Sequence, residues 1–153
     1  MDQLHILIIL LLLINLCINI WLLFKGKKSE ENWNNEVTTK PRNYTSNLIE
    51  KPLNEFSFKI MNGRDIIEVL VNGKILRFDL VGGLLGFEGE KQFNIQKVGP
   101  RDSSEFMLKI EKDFIKIRQN GKLVFSQKLP QNFGNNFSEI KFSSDNTPIK
   151  WLY

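Results

Sequence analysis

The sequence predicts an all-β domain, a jelly-roll sandwich of two antiparallel sheets, preceded by one apolar helix. Three observations carry this. The chain of 153 residues opens on a charge-free apolar run, Leu4 to Phe24. From Glu55 onward, apolar and polar residues alternate in short stretches, the period at which a strand turns one face to a core and the other to water. Those stretches are separated by turn dipeptides. Asn120-Gly121, inside FIKIRQNGKLVFSQKLP from Phe114 to Pro130, is the strongest of them, because Asn-Gly accepts the left-handed backbone that a two-residue hairpin turn demands.

The first segment, LHILIILLLLINLCINIWLLF, contains no formal charge. At about 1.5 Å per residue it is long enough for a hydrocarbon core of about 30 Å. His5, Asn15 and Asn19 weaken it, and its Ile and Leu content outweighs them. Residues 1–24 are therefore expected to form a single-pass transmembrane anchor. A cleaved signal peptide is the competing reading, although Asp2 offsets the α-amino charge and a small-x-small cleavage triplet is missing. Lys25, Lys27 and Lys28 would hold the following chain in the cytoplasm. The acceptor triplets Asn43-Tyr44-Thr45 and Asn136-Phe137-Ser138 point instead to the lumenal or extracellular side, which is the side expected here.

Residues 25–54 lose apolar periodicity. They are rich in charged, Asn, Ser and Thr residues and are interrupted by Pro41 and Pro52. That composition reads as a flexible linker.

Residues 55–153 then supply the domain. FSFKIM, DIIEVLV, KILRFDL, FNIQKV, EFMLKIE, FIKIR, KLVFSQK, EIKFS and IKWLY follow one another as strands. Between them lie Asn62-Gly63, Asn72-Gly73, Gly82-Gly83, Gly99-Pro100, Asn120-Gly121 and Asn146-Thr147-Pro148. Trp151 and Tyr153 are expected to close the core. The chain has twelve Phe, and the eleven that follow Phe24 are enough to fill it. Cys17 and His5, the only residues of their types, both fall in the apolar run. The domain therefore has no disulfide, no thiolate or histidine metal site, no histidine-dependent triad and no implied cofactor. A net charge of +4, with cations interleaved among Glu and Asp, describes a solvated surface and gives no nucleic-acid partner.

The order of these motifs resembles a galectin domain. FSFKIMNGRDIIEVLV stands for the family's opening strand, turn and second strand; FEGEKQ, Phe87 to Gln92, stands for its Trp-Gly-x-Glu-x-Arg segment; IKIRQNGKLVFSQKLP and IKWLY stand for its hairpin and its closing strand. The resemblance implies a galectin-like jelly roll that binds β-galactoside-type glycans or glycoproteins on the concave face of one sheet, as a monomer or homodimer, without catalysis. Carried over residue by residue, Phe87 takes the place of the family's Trp, Glu90 keeps its Glu and Gln92 replaces its Arg. The family's His-x-Asn-x-Arg strand falls on Val69, Val71 and Gly73 or, slid by one, on Leu70, Asn72 and Lys74. The expected carbohydrate-binding residues are thus Phe87, Glu90, Asn72, Lys74 and Gln92, in an atypical or weakened site. Two alternatives stay open. One is a protein-interaction sandwich that has lost sugar binding. The other, more remote, is a jelly-roll glycosidase in which Glu88 and Glu90, two residues apart on one strand face, would act as the carboxylate pair.

Overall fold

The computed structural model describes residues 2–25, 33–61 and 65–153. It contains two compact units, Met1–Asn32 and Trp33–Tyr153. The first holds one helix, α1 (Gln3–Lys25). The carbonyl of Asp2 accepts from the N–H groups of His5 and Ile6 at its start. Its Ile and Leu residues are exposed all along the described stretch, from Ile6 to Ile20. Asn19 donates to Asn15 at 3.3 Å, one turn earlier, so two amides satisfy each other within the helix. Among the described residues no helix is long and apolar enough to cross a membrane. The side chains described in α1 are Gln3 and His5 to Ile20, so both ends of the expected span, and Lys25, Lys27 and Lys28 beyond it, lie outside them.

The second unit is a β-sandwich. Its strands are β1 (Glu36–Thr38), β2 (Glu55–Met61), β3 (Ile66–Val71), β4 (Lys74–Asp79), β5 (Leu84–Phe87), β6 (Phe93–Asn94), β7 (Ser103–Glu111), β8 (Phe114–Gln119), β9 (Lys122–Lys128), β10 (Ile140–Ser144) and β11 (Lys150–Leu152). A six-stranded sheet has the order β1-β11-β2-β7-β8-β9, and a five-stranded sheet has the order β10-β3-β4-β5-β6. Every pairing between these strands is antiparallel. The alternation legible in the sequence becomes the two faces of each sheet: in β3, Ile67, Val69 and Val71 are buried, and Ile66, Glu68 and Leu70 are half-buried on the other side. Asn72-Gly73 and Asn120-Gly121 both take positive φ at both residues, 48° and 75°, then 49° and 82°, which makes β3–β4 and β8–β9 tight hairpins. The expected Asn62-Gly63 turn lies outside the described residues.

The core is aromatic and is shared by the two sheets. Phe58 and Phe106 of the six-stranded sheet meet Phe78 of the five-stranded sheet at ring-centre distances of 6.0 and 5.0 Å. Phe142 of β10 stacks on Trp151 of β11 at 3.9 Å, with only 10° between the planes. Offset and edge-on rings of this kind add about 0.5–1.5 kcal/mol per pair beyond the area they bury.

One expectation is corrected here. The stretch read as a flexible linker is, from Trp33 to Asn54, part of the sandwich. β1 pairs with β11, placing Val37 opposite Trp151. The buried Thr39 hydroxyl lies 2.9 Å from that of Ser144 and accepts from the Trp151 indole at 3.4 Å. The N–H groups of Thr45 and Leu48 donate to the carbonyls of Phe142 and Ile140, so this segment runs along the edge of β10. Asn47 accepts from the Ile140 N–H at 2.9 Å, and Ile49 is buried. Backbone pairing and a few hydroxyl and amide side chains hold the segment, and such contacts leave no hydrophobic period to read.

A second fastener is Asp65, 8% exposed, at the start of β3. It accepts from the N–H groups of Ile66, at 2.8 Å, and of Asn146 and Thr147, thereby fixing the turn before β11. Burial by itself would raise its carboxyl pKa, but the backbone donations from Asn146 and Thr147 outweigh it and hold the value below the ordinary 3.8.

Two measurements follow. Urea denaturation of a chain beginning at Trp33 is expected to show a stability higher by about 3 kcal/mol or more than one beginning at Glu55, from Ile49 burial and the lost edge pairing; coincident curves would contradict the role given to residues 33–54. Asp65 is a depressed carboxylate, so its contribution is complete above its unfolded value and is lost as pH falls through the lower folded one. Asp65→Asn should therefore cost clearly more stability at pH 7 than at pH 2, and equal costs at the two pH values would refute the assignment.

Candidate functional site

The outer faces of the two sheets differ in how their charges are used. On the six-stranded sheet, cations and carboxylates neutralise one another across strands: Lys59 with Glu105 and Lys109 with Glu55 at 3.6 Å, Lys150 with Glu36 at 2.9 Å, and Lys116 with Glu111 at 2.6 Å. Each exposed pair contributes little to stability, and together they neutralise four of that sheet's lysines.

The five-stranded sheet is built otherwise. Glu68 on β3, Arg77 on β4 and Gly86 on β5 stand directly opposite one another in one row. Ile66, Asp79 and Leu84 form the row on one side, and Leu70 and Ile75 the row on the other. No side chain fits at Gly86, since a Cβ there would come within 2.7 Å of the Lys91 carbonyl oxygen, where the turn after β5 folds back. Tyr44, on the segment that runs beside β10, donates its hydroxyl to Glu68 Oε2 at 2.6 Å. Burial first, then that hydrogen bond and the negative charges of Glu68 and Glu88, push the phenol pKa well above its ordinary value, and only Arg77 acts the other way. Four side chains from three parts of the chain thus share one small region: Tyr44, Glu68, Arg77 and Glu88. The phenol remains a protonated donor, the carboxylates are acceptors, and the guanidinium is a fork of donors. Tyr44 is also 38% exposed, which leaves part of its ring free for an apolar contact.

The residues expected from sequence fall elsewhere. Phe87 faces inward at 4% exposure, edge-on to Phe125 and Phe133 at 6.1 Å each. It is a core side chain with no ring face to offer a ligand, because its position in β5 puts it on the buried side of the alternation. Val69 and Val71 are buried for the same reason. Glu90 is exposed in the turn between β5 and β6 and accepts from Gln127 on β9. Gln92 is exposed at the end of that turn, and Lys74 is exposed at the start of β4. Asn72 is engaged as a clip. Its amide nitrogen donates to the carbonyls of Phe133 and Asn136 at 2.8 and 2.7 Å, and its oxygen accepts from the N–H groups of Ser138 and Glu139. Among the described residues no hydrogen bond or ion pair joins any two of these five.

The Glu88–Glu90 expectation is corrected as well. β5 ends at Phe87, and Gly89 has φ 79°, so the two carboxylates sit in a turn where strand alternation does not apply. Glu88 acts on Tyr44, whereas Glu90 binds Gln127 of the opposite sheet. Glu68 and Arg77 did leave a signal in the sequence. A two-residue turn at Asn72-Gly73 fixes the register, and counting outward from it sets Glu68 against Arg77. Tyr44 left none, because it lies in the segment read as linker.

Neither a protein-family model nor a curated protein sequence matches the chain. Among solved structures, the chain is similar to a β-glucanase of Bacillus licheniformis, with a TM-score of 0.51 and 10% identity over 77% of this chain and 74% of that one. It also matches a fructofuranosidase from Schwanniomyces occidentalis, with a TM-score of 0.48 and 10% identity over 81% of this chain and 34% of that one. A tetrameric galectin from the ball sponge Cinachyrella sp. matches with a TM-score of 0.47 and 10% identity over 72% of this chain and 94% of that one. The β-glucanase likeness is one of fold, the two-sheet antiparallel β-sandwich.

Asn72 yields a prediction of its own. Asn72→Ala should lower stability by about 2 kcal/mol, since it strands several donors and acceptors of the 133–139 loop. Thermal or urea unfolding measures this; an unchanged midpoint would show that the loop is held by other contacts.

Proposed function

We propose that the β unit is a galectin-like carbohydrate-binding domain, held at a membrane by α1 and facing the lumenal or extracellular side, with an atypical site on the outer face of the five-stranded sheet. The observation that carries the site is the Tyr44–Glu68 hydrogen bond of 2.6 Å beside Arg77, which stands opposite Glu68 in register. Sugar hydroxyls are donors and acceptors at once. A carboxylate and a guanidinium side by side satisfy both roles, while an aromatic ring covers the apolar face of the sugar. The motif resemblance of FEGEKQ and IKIRQNGKLVFSQKLP supports a β-galactoside-type glycan as the ligand. Glu88 and Glu90 lie in a turn, where strand alternation does not hold them on one face as the two carboxylates of a retaining pair, and this favours binding over hydrolysis.

The tether rests on α1, a helix of 23 residues whose described Ile and Leu side chains are exposed along its length. The sequence continues the apolar run at both ends with Leu4 and with Trp21 to Phe24. The exposed Asn43 and Asn136, each in an acceptor triplet, support the lumenal or extracellular side.

Titration calorimetry of the full-length protein, in a detergent without sugar groups, against lactose and longer galactosides tests the site. Arg77→Ala and Glu68→Gln are each expected to weaken binding about ten-fold, the loss of roughly one charge-assisted hydrogen bond. Glu90→Ala is expected to leave binding intact. If Glu90→Ala abolishes binding while Arg77→Ala does not, the site lies at the β5–β6 turn; binding of no glycan at all selects the protein-interaction reading. For the tether, the full-length chain should resist extraction from membranes by alkaline carbonate, and its release into the wash would reject integral anchoring.

A further inference from the structure

Away from the Tyr44 cluster, a second concavity opens where β6 and the residues after it face the β8–β9 hairpin. It consists of two hollows of about 410 and 650 Å³ that share Gln96, Gln119 and Asn120 on their walls. A register irregularity between Ile117 and Arg118 interrupts the β8–β9 ladder beside it. The floor is rigid. Gln119, only 2% exposed, donates to the Gln96 carbonyl at 2.8 Å and to the Ser104 hydroxyl at 3.0 Å, and it accepts from the Gln96 N–H at 2.7 Å. A buried amide satisfied on all sides has no tendency to rearrange.

The charges around this floor are unbalanced. Lys97 and Arg101 line one hollow and Lys122 the other, against a single carboxylate, Asp102, which accepts from the Gly99 N–H at 3.2 Å. Among the described residues none of the three cations enters an ion pair. The Lys97 stem lies against Gly83, where a Cβ would come within 3.0 Å of its Cγ. Gln96 and Asn120 line both hollows, their side-chain amides 3.5 Å apart and weakly paired, and Asn120 Oδ1 accepts from the Glu105 N–H at 2.9 Å, which leaves its amide N–H groups to face a ligand.

We propose that this concavity is a second binding site, for an anionic oligosaccharide. Sulfate or carboxylate substituents would be taken by Lys97, Arg101 and Lys122, and the neutral hydroxyls by the amides of Gln96 and Asn120. A volume of this size suits a few sugar units, and a cation cluster without carboxylate partners binds anions with a strength that salt screens. The inference does not depend on the Tyr44 site.

The test is calorimetry of the full-length protein, in a detergent without sugar groups, with a heparin-derived hexasaccharide, its desulfated and carboxyl-reduced form, which is free of anionic groups, and a sulfate-free hexauronate. The heparin hexasaccharide is expected to bind, more weakly as salt rises. The variant carrying Lys97→Glu, Arg101→Glu and Lys122→Glu should lose ten-fold or more, while a control of equal net charge, Lys51→Glu, Lys112→Glu and Lys128→Glu, retains the affinity. Binding of the hexauronate with the same variant dependence supports carboxylate as the recognised group, and binding of the sulfated sugar alone supports sulfate. No binding of either anionic sugar, equal loss in the two triple variants, or unchanged affinity after complete removal of the anionic groups would overturn the proposal.

Discussion

Trp151 has to be buried, and neither sheet can bury it alone. Its ring stacks on Phe142 of the opposite sheet, its strand pairs with β2 on one side and β1 on the other, and its indole N–H reaches the hydroxyl of Thr39. Residues from near position 39, from position 142 and from position 151 therefore meet at one point. The aromatic cluster of Phe58, Phe78 and Phe106 continues inward from it. The segment beside β10 is placed by the same closure, and that segment delivers Tyr44 to the outer face of the five-stranded sheet. Core and candidate site are thus two consequences of how one tryptophan is covered.

Where a stretch of sequence carried its own geometry, the structure agrees with it. The Asn-Gly turns at 72–73 and 120–121 impose positive φ locally and so fix the register of the strands they join. The alternation in β3 and β7 needs only one buried face to be read. Where the geometry came from another part of the chain, the reading failed. Residues 33–54 fold by donating to and accepting from strands about a hundred positions away, and they use Thr39, Thr45 and Asn47 where a hydrophobic pattern would have been visible. Phe87 looked like a ligand plate because its motif resembled one, but the parity of β5 turns it inward.

The same contrast explains the candidate site. Glu68 and Arg77 were placed by a local turn and could be paired by counting, whereas Tyr44 could be assigned only once its segment was docked. The charge on each surface follows a common rule. Cross-strand pairs consume Lys59, Lys109, Lys116 and Lys150 of the six-stranded sheet, and the residues left to act on a ligand are those whose neighbours do not complete the neutralisation.

The position of β11 has a consequence for how the protein is made. It lies between β1 and β2 in the six-stranded sheet, yet residues 150–152 are synthesised after every other strand of the unit. During translation β1 has no partner in place, and β2 presents an open edge beside an uncovered Phe58. The hairpins β3–β4 and β8–β9 can form as they emerge, but the sheets cannot close around them. Final assembly of the sandwich accordingly waits for β11 and joins the two ends of the unit, the slow and non-local kind of step during which an exposed strand edge is most vulnerable to wrong partners.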